Sequence, residues 1–111
     1  MTDYSDMSVR FAGSVRLFGT DGFSRLKQAH VGVIGVGGVG SWAVETLARS
    51  GIGRLTLIDG DVVVESNINR QLQALSDTLG KAKVSVLAER IAGINPLCKV
   101  DAVRLFNIRK Y

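Results

Sequence analysis

The chain has 111 residues, of which 46% are hydrophobic and 22% charged, and a net charge of +4. This composition excludes a disordered chain and describes one small soluble domain or a fragment of a larger one. No apolar run approaches the roughly 20 residues that span a bilayer, and "MTDYSDMSVR" lacks the basic region and apolar core of a signal peptide, so a cytoplasmic location away from membranes is expected.

Arg10, Arg16, Arg25, Lys27, Arg49 and Arg54 are scattered without the basic stripe of a nucleic-acid face and read as solvated surface. The last stretch, "RLFNIRKY", is denser in positive charge, and a tail contacting RNA or an accidental terminus fits it equally. Cys98 is the only cysteine. It cannot form an internal disulfide, which agrees with a reducing compartment, and it reads as a small residue leading into a strand.

No repeat, low-complexity segment or linker divides the chain, and Pro96 is its only proline. We expect a helical lead-in over 1–30, a nucleotide-binding unit over 31–103 and a basic tail over 104–111. "TDGFSRLKQA" predicts a short helix with Phe23 and Leu26 on one side, and His30 reads as a residue at its terminus. "VGVI" (31–34) is too short for a helix and predicts a buried parallel strand. A helix over 41–50 follows, with Val39, Ala43 and Leu47 spaced by four and Gly51 as its stop. "LTLID" (55–59) is the second strand. Ser66 is placed to cap a short helix "NINRQLQAL", and "KAKVSVLAERIAGI" sets Val84, Leu87, Ala88, Ile91 and Ile94 on one helical face. "KVDAV" (99–103) is the third strand. Strands alternating with helices predict right-handed βαβ units around a parallel sheet.

Between the first strand and its helix, Gly35, Gly37 and Gly40 form G-x-G-x-x-G. The first glycine permits the tight turn, the second lets a phosphate approach the backbone, and the third lets helix and strand pack closely. The helix start offers unpaired N–H groups and a positive dipole end to an anion. Asp59, at the end of the second strand, is placed to accept hydrogen bonds from both ribose hydroxyls. All of this suits NAD as well as ATP. A plain NAD-dependent oxidoreductase, however, has no evident use for Asn67, Arg70, Gln71 and Lys83 so soon after the ribose acid. An enzyme working at the α-phosphate of ATP does: when a carboxylate displaces pyrophosphate, charge builds on phosphate oxygens, and fixed Arg and Lys groups stabilise it. On this reading Arg70 and Lys83 are the catalytic cations, Gly35, Gly37, Gly38 and Gly40 admit the phosphates, Asp59 fixes the ribose and Asn67 orients. Asp61 either contacts a metal indirectly or shapes the loop after the strand, the second being more economical. Gln71 is read as bonding the crossover backbone and Trp42 as core.

"GVGGVGSWAVETLARSGIGRLTLIDGDVVVESNINRQ", "LGKAKV" and "INP" closely resemble the ubiquitin-activating-enzyme-like adenylating superfamily, from about Arg10 to Val103. The resemblance implies a Rossmann-like, doubly wound parallel α/β sheet, of which this chain carries the N-terminal βαβαβ half. It implies ATP and Mg²⁺ as cofactors and pairing into a homodimer. By the family pattern Gly38 lies against the nucleotide, Asp59 binds ribose, Asn67 and Arg70 face the phosphates, and Lys83 touches both. "RFAGSVRLFG", "GSWAVETLARSGIG" and "NRQLQAL" look most like the tRNA threonylcarbamoyladenosine dehydratases, which use ATP to activate the carboxylate of threonylcarbamoyladenosine in tRNA before it closes into a ring with loss of water. Two other readings stay open. One is a sulfur-carrier-protein adenylyltransferase of molybdopterin or thiamine biosynthesis, working with a sulfur-transfer partner protein. The other is a non-catalytic nucleotide-binding or dimerisation module. The sulfur-carrier enzymes carry an arginine where Gly13 aligns, with Arg16 only nearby, which counts against the first.

The family continues with a further strand ending in an acid that helps hold Mg²⁺. This chain reaches Tyr111 without one, and after "VDAV" it has Arg104, Arg109 and Lys110 where the family usually carries acids. The expectation is a truncated or frame-altered product. In a doubly wound sheet the first strand is central and pairs on its far side with the fourth. Here it would keep an unpaired edge and invite association, and the chain alone is expected to bind nucleotide weakly and turn nothing over.

Overall fold

The computed structural model describes residues 7–106, and the end of the basic tail, 107–111, lies outside them. The order of elements is α1 (Ala12–Gln28), β1 (His30–Ile34), α2 (Gly38–Ser50), β2 (Arg54–Ile58), a 3₁₀ turn (Glu65–Asn67), α3 (Lys83–Ile94) and β3 (Lys99–Val103). The three strands form one parallel sheet in the order β1-β2-β3. This is the α/β, Rossmann-like architecture expected from the sequence.

Each strand matches its expected position within a residue, because short apolar runs bounded by turn residues leave little choice. The lead-in helix differs. It begins at Ala12 and bends at Gly19, whose φ of 76° interrupts the helical path, so the predicted 20–29 segment is only the second limb. His30 opens β1 instead of closing the helix, and its Nε2 lies 2.6 Å from the Thr56 hydroxyl on β2.

α2 and α3 pack against each other and against the sheet. They enclose a core of Val36, Val44, Ala48, Ile52, Leu55, Leu57, Val84, Leu87 and Ile91. Each large aliphatic side chain buried there stabilises the fold by about 1.5–3 kcal/mol. The buried side of α2 is Ser41, Val44, Glu45 and Ala48, one position round from the predicted Val39, Ala43 and Leu47. Two polar residues on the inner face hid it from a hydrophobic count, and Val39 is 87% exposed. The helix stops at Gly51, at φ 104°, where the Gly51 and Ile52 N–H groups donate to the last carbonyls. Asn95, after α3, donates to the Ala48 and Ile52 carbonyls at 3.3 and 3.0 Å, fastening the ends of the two helices together.

β1 is not buried as predicted. Only its Val31 and Val33 side packs on the core, while Ile34 is 69% exposed. Among the described residues no strand lies outside β1. The other face of the sheet carries the registered rows His30, Arg54, Lys99; Gly32, Thr56, Asp101; and Ile34, Ile58, Val103. None of these nine is buried. Arg54 bridges to Asp101 at 2.9 Å and holds its carboxyl below the usual range. The Asp101 carboxylate also accepts from Thr56 at 3.3 Å.

Candidate nucleotide-binding site

The glycine turn leaves β1 at its C-terminal end, where open α/β sheets bind ligands. Gly35 takes φ 85°, a conformation that disfavours any side chain, and its N–H donates to the Ile58 carbonyl at 2.8 Å. At Gly40 the helix crosses the turn so closely that a Cβ would stand 2.0 Å from the Gly35 carbonyl oxygen. Gly37 and Gly38 are roomier: a Cβ would make only ordinary contact with Gln71 Nε2 at 3.6 Å and with the Arg70 alkyl chain at 3.8 Å, respectively. The first turn of α2 thus presents backbone N–H groups on an open approach, the geometry that receives an anion.

Asp59, directly after β2, is 6% exposed. Its Oδ2 accepts from the Val36 N–H at 2.9 Å and its Oδ1 from the Asp61 N–H at 2.8 Å. The same carboxylate therefore anchors the glycine turn and the loop leading away from the sheet. Sequence reasoning missed its counterpart. Gln73, 1% exposed, donates from Nε2 to the Val36 carbonyl at 2.7 Å, so residue 36 is held through both its N–H and its carbonyl. No local pattern marks Gln73, because its partner lies 37 positions away.

The predicted helix over 67–75 does not form. A 3₁₀ turn at Glu65–Asn67 gives way to turns with local backbone bonds, and the segment adds bonds to the glycine turn and α2. The Leu72 N–H donates to the Ser41 hydroxyl at 3.3 Å, and the Trp42 indole N–H donates to the Arg70 carbonyl at 3.1 Å. Trp42 is half-exposed and pins the crossover, correcting its reading as core. Ser66 lies within the 3₁₀ turn, and Asn67 orders it instead: its buried Oδ1 accepts from the Val64 N–H at 2.9 Å.

Arg70 lies over Gly38 and donates from one guanidinium nitrogen to the Ser66 carbonyl at 2.8 Å and to Asn69 Oδ1 at 2.9 Å. Gln71 is buried beside Gly37, and its Oε1 has no hydrogen-bond partner, so the bond to the crossover backbone expected of its side chain is not made through that atom. Lys83 opens α3 with its side chain 7% exposed, and its ammonium lies 3.9 Å from the Asp61 carboxylate. The structure thus brings Gly38 to Arg70, Gly37 to Gln71, Asp59 to the glycine turn, and Lys83 to Asp61.

The chain compares closely with known proteins. The ThiF family profile matches residues 11–108. The tRNA threonylcarbamoyladenosine dehydratase of Haemophilus influenzae is 58% identical over 94 residues, covering 85% of this chain and 36% of that protein. The Escherichia coli protein of the same name is 51% identical over 106 residues, covering 92% and 40%. The crystal structure of the E. coli tRNA N6-threonylcarbamoyladenosine dehydratase in complex with ATP matches with a TM-score of 0.90 at 51% identity, covering 95% of this chain and 44% of that one. The chain therefore spans less than half the length of these relatives. A match over nearly all of its own length, carrying the glycine turn, the strand-end acid and the crossover, places it in one family: the chain belongs to the ThiF family.

Proposed function

We propose that this chain supplies the nucleotide-holding part of an ATP-dependent enzyme that adenylates a carboxylate, with threonylcarbamoyladenosine in tRNA as the substrate. The observation that carries this reading is the gathering of the glycine turn, Asp59 and Arg70 at the C-terminal end of a parallel sheet, with Lys83 opening α3, in a chain so similar to those dehydratases. Gly37 and Gly38 leave the phosphates room, Gly35 and Gly40 let the turn and helix close beneath them, and the first turn of α2 turns its N–H groups toward the phosphates. Asp59 keeps a second lone pair on each oxygen for the ribose hydroxyls. Asn67 holds the turn that aims Arg70.

In the reaction the substrate carboxylate attacks the α-phosphorus, pyrophosphate leaves, and an acyl adenylate results; ring closure then expels AMP, so that the substrate loses water overall. Arg70 and Lys83 stabilise the charge that builds on the phosphate oxygens.

Mg²⁺ belongs to the reading as a companion of the phosphates, but the residues described here do not fit it as a bound metal. No three His, Cys, Asp or Glu side chains converge among the described residues. Gly13, exposed in the first turn of α1, stands where a sulfur-carrier enzyme has an arginine, which supports tRNA over a sulfur-carrier protein and its sulfur-transfer partner. A homodimer and a cytoplasmic location complete the proposal. Among the described residues no helix is long and apolar enough to cross a membrane.

Calorimetry on the 111-residue chain with Mg²⁺ present tests the reading. ATP binds in preference to NADH, and Lys83→Ala weakens ATP about tenfold or more, the scale of a lost charge-assisted contact. Preference for NADH, or indifference to Lys83→Ala, would overturn it.

A further inference from the structure

Lys83 has an ammonium group on a side chain that is 7% exposed, and a buried charge needs a partner. Among the described residues the carboxylate within ion-pair reach is Asp61, 58% exposed at the side chain. Asp61 is joined to the site in two further ways. Its N–H donates to Asp59 Oδ1 at 2.8 Å, and its carbonyl accepts from the Lys83 N–H at 3.1 Å. One residue therefore links the strand-end acid to the lysine that opens α3. The ion-pair distance of 3.9 Å is too long for a hydrogen bond. The ammonium is held by charge, without a fixed donor direction, and is able to turn toward a phosphate.

We propose that Asp61 is the positioning residue for Lys83: it holds the ammonium beside the nucleotide site in the free protein and yields it when phosphates arrive. This deepens the proposed function and rests on Lys83 as a phosphate-facing cation. The Asp61 carboxylate competes with the incoming polyanion for the same ammonium, so its neutral amide should bind nucleotide more tightly. Disruption of the fold would give the opposite sign.

The test is ATP titration calorimetry with Mg²⁺ on the 111-residue chain and on Asp61→Asn, Asp61→Glu, Lys83→Ala and Asp61→Asn with Lys83→Ala, each checked by thermal unfolding. Asp61→Asn is expected to tighten ATP binding about two- to fivefold, the scale of a partly exposed ion pair. Asp61→Glu returns the affinity to the parent value, and the gain disappears when Lys83 is already alanine. Unchanged or weaker binding in Asp61→Asn would overturn the inference, as would an equal gain in the Lys83→Ala background, which would show the carboxylate acting on the ligand directly. Absence of ATP binding by the parent chain would overturn the proposed function and this inference together.

Discussion

Glu45 on α2 and Arg90 on α3 meet through two hydrogen bonds, Nε to Oε1 at 2.7 Å and Nη2 to Oε2 at 2.9 Å. Arg49, one turn along α2, donates to the same Oε2 at 2.7 Å. The Arg90 hydrogen bond holds the Glu45 carboxyl below its ordinary value, against the opposing effect of burial and with help from Arg49. A group depressed in this way stabilises the fold above its unfolded value, near pH 4.3, and the contribution is lost as pH falls through the folded value. Urea midpoints should therefore fall between pH 6 and pH 3 by more in the parent chain than in Glu45→Gln. Equal slopes would show that the pair does not couple to folding.

Gly40 and Gly38 separate fold from ligand. At Gly40 a Cβ would collide with the Gly35 carbonyl, whereas at Gly38 it would rest at 3.8 Å from Arg70. Gly40→Ala should cost about 2 kcal/mol or more, since overpacking against backbone forces the turn to shift. Gly38→Ala should leave the unfolding midpoint nearly unchanged while weakening ATP. Thermal unfolding and calorimetry on both variants read the two effects separately.

Gln73 offers a sharper contrast. Gln73→Leu removes the donor to the Val36 carbonyl but also removes a buried Oε1 that has no partner, so a net cost of about 1 kcal/mol is expected. Gln73→Glu sets an acceptor against that carbonyl at a position only 1% exposed and should cost about 3 kcal/mol or more at neutral pH. Urea titration of both variants checks the order, and a Glu variant as stable as the Leu variant would contradict it.

The outer edge of β1 should cause self-association. "HVGVI" carries no lysine or proline to discourage pairing, and Ile34 is exposed. Ile34→Lys is expected to raise the monomer fraction in sedimentation velocity at concentrations where the parent chain associates.

The sheet was legible in the sequence because its strands are short apolar runs between turn residues, and the stop of α2 was legible because Gly51 takes a left-handed conformation. The glycine turn and Asp59 could be placed from spacing alone. The segment from Asn67 to Leu75 misled, since nothing within it shows that it donates to Ser41 and Val36 and accepts from Trp42. Ser41 and Glu45 misled for a related reason: each faces inward to meet a distant partner, which turns the hydrophobic pattern of α2 by one position.

Asp59 and Gln73 grip residue 36 entirely through its main chain, one at the N–H and one at the carbonyl. The grip is blind to which side chain stands at its centre. Position 36 can drift among aliphatic residues that fill the same closed space, while position 59 must keep an acceptor and position 73 a donor. Two points of the β2–α3 connection are thereby tied to the two successive peptide planes that meet at this residue, which fixes the path of the backbone as it enters the glycine turn.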